Sequence, residues 1–151
     1  MKKILIVTVL LMVSCVSAMS QVQEPVSLTY SAKKTDAVTY EIHITAAIQS
    51  GWHIYSQTTP AGGPVHTTVT FSSNPLAIIT GNVKEVGKLE QHHEKLFGVD
   101  VKQFSNKVDF VQIVKLKKAL KTNIAGSIEF MVCNDQQCLP PATKKFSVAL
   151  K

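Results

Sequence analysis

The stretch VTYEIHIT, residues 38–45, decides the fold of this chain. Every even-numbered residue in it is apolar or aromatic and every odd-numbered residue is polar. Because successive side chains of a β-strand point to opposite faces of a sheet, this period of two predicts a strand with one buried face. No apolar stripe with the period of a helix competes with it.

Similar runs, rich in β-branched and aromatic residues, extend on both sides of this stretch. They are Val26–Ala32, Trp52–Ser56, Val65–Phe71, Leu76–Thr80, Val108–Leu116, Ile124–Val132 and Phe146–Leu150. Turn-forming residues separate several of them, as in the segment PAGGP at residues 60–64. The pattern predicts an all-β protein, an immunoglobulin-like β-sandwich of about eight short antiparallel strands.

The segment 84–106 interrupts this pattern. It contains the polar run EQHHEK at residues 90–95, followed abruptly by the apolar pair Leu96 and Phe97 and by Gly98. We interpret it as a long loop, and loops of this length inside a compact domain are usually functional or mobile.

The N-terminus has the features of a secretory signal. Three residues, Met1, Lys2 and Lys3, precede the apolar stretch 4–13, which is too short to span a bilayer, and small residues follow it around Ala18. We therefore predict a signal peptide at residues 1–20 and one domain at residues 21–151, in the periplasm or secreted. Lipid attachment at Cys15 is the alternative, and the sequence favours simple cleavage.

The basic residues argue against nucleic acid as a partner. All 16 are Lys, and they are spread along a chain with a formal net charge of +6. Lysine lacks the planar guanidinium group that reads phosphates and guanines in two-pronged hydrogen bonds. We interpret the lysines as a solvated surface.

Two cysteines, Cys133 and Cys138, remain after the signal is removed, and an oxidising compartment favours their pairing. The bridge would close a loop of six residues, which stabilises a fold by about 2 kcal/mol, against about 5 kcal/mol for a loop of about a hundred. A local bridge therefore stabilises the fold only weakly. It is also accessible to attack by another thiolate, and both points favour a redox function.

Two other interpretations of the cysteines stay open at this point. One is a local structural disulfide that pins a hairpin. The other is a metal site with Met131 and histidines, but His92 and His93 are adjacent rather than three to five residues apart, which argues against it. We predict no metal and no cofactor.

Three segments together resemble one known family, the N-terminal domain of the thiol:disulfide interchange protein DsbD. The segment VCNDQQCLPP, residues 132–141, is similar to the active-site hairpin of that family. GWHIY at residues 51–55 resembles its aromatic strand, and KLFG at residues 95–98 falls where the family has a cap loop. The resemblance covers the chain from about Val26 to its end.

The resemblance implies an immunoglobulin-like fold whose cysteine pair relays electrons. The donor would be a membrane-embedded thiol reductase, and the acceptors would be periplasmic thioredoxin-like or disulfide-isomerase proteins. By position, Cys138 would exchange with partners and Cys133 would resolve the mixed disulfide, an assignment that the chemistry of the residues alone does not make. Leu96 and Phe97 would shield the pair.

Other residues are expected beside the cysteines. Strand alternation puts His53 and Tyr55 on the face opposite Trp52 and Ile54, and we expect His53 and Tyr55 to flank the site. Pro140, which lacks a backbone donor, would leave the sulfur of Cys138 open to a partner.

Two features depart from the family. Four residues separate the cysteines where the best-known member has five, and His53 replaces a Tyr. The chain ends at Lys151 without the membrane and thioredoxin domains of the full-length protein, so we expect electrons from separate proteins. The alternative function is a non-catalytic secreted β-sandwich that binds a partner and carries a local structural disulfide.

Overall fold

The computed structural model describes residues 23–151, which form nine strands joined only by antiparallel pairing. The strands are β1 Val26–Lys34, β2 Thr39–Ile48, β3 His53–Tyr55, β4 Thr68–Phe71, β5 Ala77–Glu94, β6 Val99–Leu116, β7 Thr122–Phe130, β8 Val132–Cys133 and β9 Ala142–Leu150. The predicted all-β, immunoglobulin-like sandwich is confirmed.

Within the described residues no helix is long and apolar enough to cross a membrane. The predicted signal peptide and Cys15 lie outside the described residues.

Two sheets make up the sandwich. The larger has the order β1-β2-β6-β3-β8, with β5 paired to the other side of β6, and the smaller has the order β4-β7-β9. The alternation in β2 sends Tyr40, Ile42 and Ile44 into the core between the sheets, where they are at most 4% exposed. Contacts such as the stacked rings of Tyr30 and Phe146, 5.4 Å apart, join the two sheets across this core.

The predicted long loop at residues 84–106 is wrong, because β5 and β6 form a hairpin of two 18-residue strands. Its turn, residues 95–98, is closed by the amide of Gly98, which donates to the Glu94 carbonyl at 2.7 Å. Gly98 has φ +67°, a conformation that glycine adopts without steric cost. These two strands are also longer than predicted.

The alternation was hidden because β5 is an edge strand with most residues exposed on both faces. A strand that is solvated on both faces needs no apolar face, so its sequence lacks the period of two. Register shifts at Thr80/Lys84 and Gly87/Leu89 interrupt the period further.

The predicted strand Ile124–Val132 is divided between the two sheets. Strand β7 pairs within the small sheet, whereas β8 pairs with β3 of the large sheet. The chain therefore crosses from one sheet to the other at Met131, and this crossing brings Cys133 beside β3.

Candidate functional site

Cys133 and Cys138 form a disulfide bond, with their Cα atoms 4.0 Å apart. The Asn134 side chain organises the loop between them, because its Oδ1 accepts hydrogen bonds from the backbone amides of Gln136 (2.9 Å) and Gln137 (2.8 Å). Asparagine favours such turns since its short side chain reaches the amides two or three residues ahead. The loop thus holds both sulfurs in bonding position through local contacts.

The two sulfur-bearing residues differ in exposure. Cys133 is completely buried, and Cys138 is half-buried. Just after Cys138, the Leu139 amide donates to the Val132 carbonyl at 3.0 Å, and Pro140 and Pro141, which have no N–H group, then end the pairing. Of the two cysteines, Cys138 is therefore the more accessible to solvent.

The disulfide belongs to a small cluster separate from the main core. Tyr55, Val101 and Cys133 are its buried members, and Val99, Met131 and Cys138 pack against them. Trp52 and Ile54 belong instead to the main core. Since neighbouring side chains of a strand point to opposite faces, this cluster lies on the face of the large sheet that is turned away from the smaller sheet.

His53 and Tyr55 lie beside Cys133 on this face. His53 is directly opposite Cys133 in the β3–β8 pair, where side chains of opposed residues are neighbours. The rings of His53 and Tyr55 contact each other edge to face, with centroids 5.2 Å apart. The structure thus brings together both cysteines, His53 and Tyr55.

A buried carboxylate, Glu94, joins these two side chains. The Tyr55 hydroxyl donates to Glu94 Oε2 at 2.8 Å, and His53 Nε2 lies 3.3 Å from the same oxygen and 3.1 Å from the Tyr55 hydroxyl. Glu94 is the last residue of β5 and is 5% exposed. It is held there by the β5–β6 hairpin, which also contributes Val99 and Val101 to the cluster.

Burial and hydrogen bonding set the protonation states of this network. Burial raises the pKa of Glu94, but the hydrogen bonds from the Tyr55 hydroxyl and the Leu96 amide, together with His53, outweigh it and leave that pKa below its usual value. Burial and the Glu94 carboxylate raise the pKa of Tyr55. Burial lowers the pKa of His53, and Glu94 offsets part of that change. At neutral pH the network is an anionic Glu94 with a neutral His53 and Tyr55.

A polar cleft of 550 Å³ opens next to this network. Trp52, His53, Glu94, Lys95 and Asp135 are among the residues that line it. The cleft therefore brings solvent close to the buried network beside the disulfide, which gives protons a route in and out.

Leu96 and Phe97 lie in the turn that follows Glu94. They are 50% and 38% exposed, and the buried apolar contacts of the disulfide come from Val99 and Val101 instead. A shielding role for Leu96 and Phe97 stays a prediction. Pro140 is exposed, as an open approach to Cys138 requires.

The sequence prediction missed three residues of the site: Glu94, Val99 and Val101. All lie in the segment interpreted as a loop. The available signal was the alternation of the apolar Val99 and Val101 with the polar Asp100 and Lys102 just after a turn-forming glycine, which is the pattern of a second hairpin strand.

Metal ligands are not clustered in the described part of the chain. Residues 23–151 contain no group of three or more His, Cys, Asp or Glu side chains positioned to hold a metal ion. His93 Nδ1 instead lies 2.8 Å from Asp100 Oδ1 across the hairpin, in an exposed pair.

Comparison with known protein families gives one match over most of the chain. The model of the family described as thiol:disulfide interchange protein DsbD, N-terminal, matches residues 19–150. None of the curated proteins compared with the chain matches it.

Solved structures share the fold. The N-terminal domain of DsbD from Neisseria meningitidis in its reduced form superposes with a TM-score of 0.59 at 14% identity, over 88% of this chain and 94% of that one. The same domain in complex with the PilB N-terminal domain gives a TM-score of 0.54 at 11% identity, over 87% and 88%. The N-terminal periplasmic domain of ScsB from Proteus mirabilis gives 0.52 at 17% identity, over 83% of this chain and 44% of that one.

Proposed function

Because this chain belongs to the family of the N-terminal domain of the thiol:disulfide interchange protein DsbD, we propose that it is a thiol–disulfide exchange relay of the periplasm. The Cys133/Cys138 pair would accept electrons from a membrane-embedded thiol reductase and pass them to thioredoxin-like or disulfide-isomerase proteins. No cofactor is needed, since two thiols supply both electrons.

The observation that carries this proposal is the unequal exposure of the two cysteines in a local disulfide. A partner thiolate would attack the half-buried Cys138, and the buried Cys133 would leave as a thiolate. In the opposite direction Cys138 would attack the acceptor disulfide and Cys133 would release the acceptor. The geometry supports the roles that the resemblance implies, because Cys138 is the more exposed of the two cysteines.

Structures with the same fold support the proposed partners and location. A DsbD N-terminal domain with this fold forms a complex with the PilB N-terminal domain, and the ScsB domain with this fold is periplasmic. Both facts favour binding of a separate protein partner outside the cytoplasm. The predicted signal at residues 1–20 agrees with that location.

The reduction potential tests the proposal. A working relay should have a potential between about −120 and −270 mV, the range of exchange proteins, whereas structural disulfides lie below about −300 mV. Equilibration of the mature protein in glutathione or dithiothreitol buffers, followed by thiol alkylation and mass spectrometry, measures it. A potential well below −300 mV would leave the alternative, a binding module with a structural disulfide.

A further inference from the structure

His53 occupies a position beside the buried cysteine that suits proton transfer. It is opposite Cys133 in the β3–β8 pair, it is 7% exposed, and its Nε2 atom is already engaged by Glu94 and the Tyr55 hydroxyl. The Nδ1 atom is therefore the ring nitrogen that can take up a further proton. A buried histidine with a carboxylate at its other nitrogen is the arrangement that stabilises an imidazolium as it forms.

The buried Cys133 needs such a group. Exchange requires the thiolate form, yet burial in apolar surroundings raises the pKa of a thiol, and water does not reach Cys133. The half-buried Cys138 can exchange its proton with solvent directly. The two cysteines thus face different proton-transfer problems.

We propose that His53, held by Glu94 and Tyr55, accepts the proton of Cys133 when the reduced pair passes on its electrons and returns it when the pair is reduced. This inference rests on the relay function proposed above. It adds an acid–base residue at a position where, by the resemblance, other family members carry a Tyr.

The Cys138 thiolate attacks an acceptor disulfide, forming a mixed disulfide and releasing one acceptor thiolate. Cys133 then gives its proton to His53 and attacks Cys138, so that the Cys133–Cys138 bond forms and the bond to the acceptor breaks. The second acceptor thiolate leaves with that electron pair, and His53 gives its proton to this thiolate or to solvent.

Charged and titratable groups from several elements face His53 and fix the direction of its pH dependence. Glu94 and His92 come from β5 and Asp135 from the cysteine loop. Burial, followed by the opposing effect of Glu94, leaves the pKa of His53 below its usual value, so His53 is neutral and basic at neutral pH. Acidification through that lowered pKa should therefore remove its activity as a base.

Reaction of the fully reduced protein with dithiobis(nitrobenzoate) separates the two steps. The first, second-order phase modifies Cys138 and releases one nitrothiobenzoate. The second phase is the attack of Cys133 on Cys138, independent of reagent concentration, and it releases another. We expect H53Q and H53Y to slow the second phase about a hundredfold at neutral pH, which is the lower end of the rate enhancement that general base catalysis supplies. The rate of the first phase should be unchanged.

The pH profile excludes a merely structural effect. The wild-type second phase should be constant near neutral pH and fall on acidification. In H53Q and H53Y it should rise steadily with hydroxide and approach the wild-type rate where Cys133 ionises unaided.

The control is H43Q. His43 is a half-buried histidine that also contacts a carboxylate, since its Nδ1 lies 2.7 Å from Asp109 Oδ2. It is far from His53: on β6, the residue paired with His43 (Val111) is about 20 Å along the strand from the residue paired with His53 (Ser105). The H43Q variant should match the wild type in the rates of both phases at every pH.

Equal slowing at every pH, or no slowing, would overturn the role of His53 and leave the relay intact. A wild-type protein that releases both nitrothiobenzoates without forming the disulfide would instead overturn the proposed function.

Discussion

At the scale of single residues, Glu94 links the hairpin to the disulfide. Its carboxylate accepts hydrogen bonds from Tyr55 and from the Leu96 amide, and it lies within reach of His53. Strand β3 and the tip of the β5–β6 hairpin thus meet at one buried anion. A buried charge is tolerated only when it is paired and hydrogen-bonded, so removal of this charge should be felt in stability.

We predict that E94Q lowers the free energy of unfolding of the oxidised protein by about 1.5–3 kcal/mol at neutral pH, the range for hydrogen bonds to charged groups. The folded-state pKa of Glu94 is below its unfolded value of 4.5, so its stabilisation is present above that value and is lost as the pH falls through the lowered pKa. Urea denaturation should therefore show a difference between E94Q and the wild type that shrinks on acidification.

The control is E129Q, because Glu129 on β7 is exposed. E129Q should change the free energy of unfolding by less than about 0.5 kcal/mol, both at neutral pH and after acidification. A difference between E94Q and the wild type that stays constant with pH would show that packing, and not the charge of Glu94, accounts for the loss.

At this scale, a sequence is informative where the pattern is local. The cysteines are only five positions apart, and the alternation around Trp52 lies within one short segment. Each pattern can be read locally, so Cys133, Cys138, His53 and Tyr55 could be named as candidates. Glu94 could not, because its partners lie about 40 residues away in sequence and meet it only through the pairing of β5, β6 and β3.

At the scale of elements, the β5–β6 hairpin is the part that the sequence did not reveal. Strands buried on one face are recognised by their period of two, as β2 is, whereas β5 is solvated on both faces and has no such period. The crossing from β7 to β8 was also missed, since no turn-forming residue marks Met131. Both features depend on long-range pairing rather than on local pattern.

The tip of this hairpin should control access to the sulfurs if Leu96 and Phe97 shield them. We predict that the double variant L96S/F97S, in its reduced form, reacts with iodoacetamide at Cys138 several-fold faster than the wild type. Its stability should change by less than about 0.5 kcal/mol, because both side chains are exposed. Alkylation followed by quenching and mass spectrometry measures the rate.

L120S is the matched control, since Leu120 is 49% exposed and lies in the connection between β6 and β7. It should react at the wild-type rate. Equal rates for the double variant and the wild type would mean that the hairpin tip does not cover Cys138.

Across the domain as a whole, the disulfide lies outside the core that stabilises the fold. Among residues 23–151, the main core between the two sheets contains 19 buried residues and excludes Cys133, which belongs to the small cluster on the outer face. The bridge joins residues five apart in sequence and links no distant elements. Opening it should therefore leave the sandwich intact.

We predict that the reduced protein keeps its native fold and loses only about 2 kcal/mol of stability, the value expected for so short a loop. Domains of this size have free energies of unfolding of about 5–15 kcal/mol, so this loss is tolerable. Circular dichroism should give the same spectrum before and after reduction, and urea denaturation should give the same slope with a lower midpoint.

The double variant C133A/C138A serves as control for the reductant and should behave like the reduced wild type. Unfolding on reduction, or a loss approaching 5 kcal/mol, would make the pair a structural staple, because a relay that cycles between both states must be folded in each.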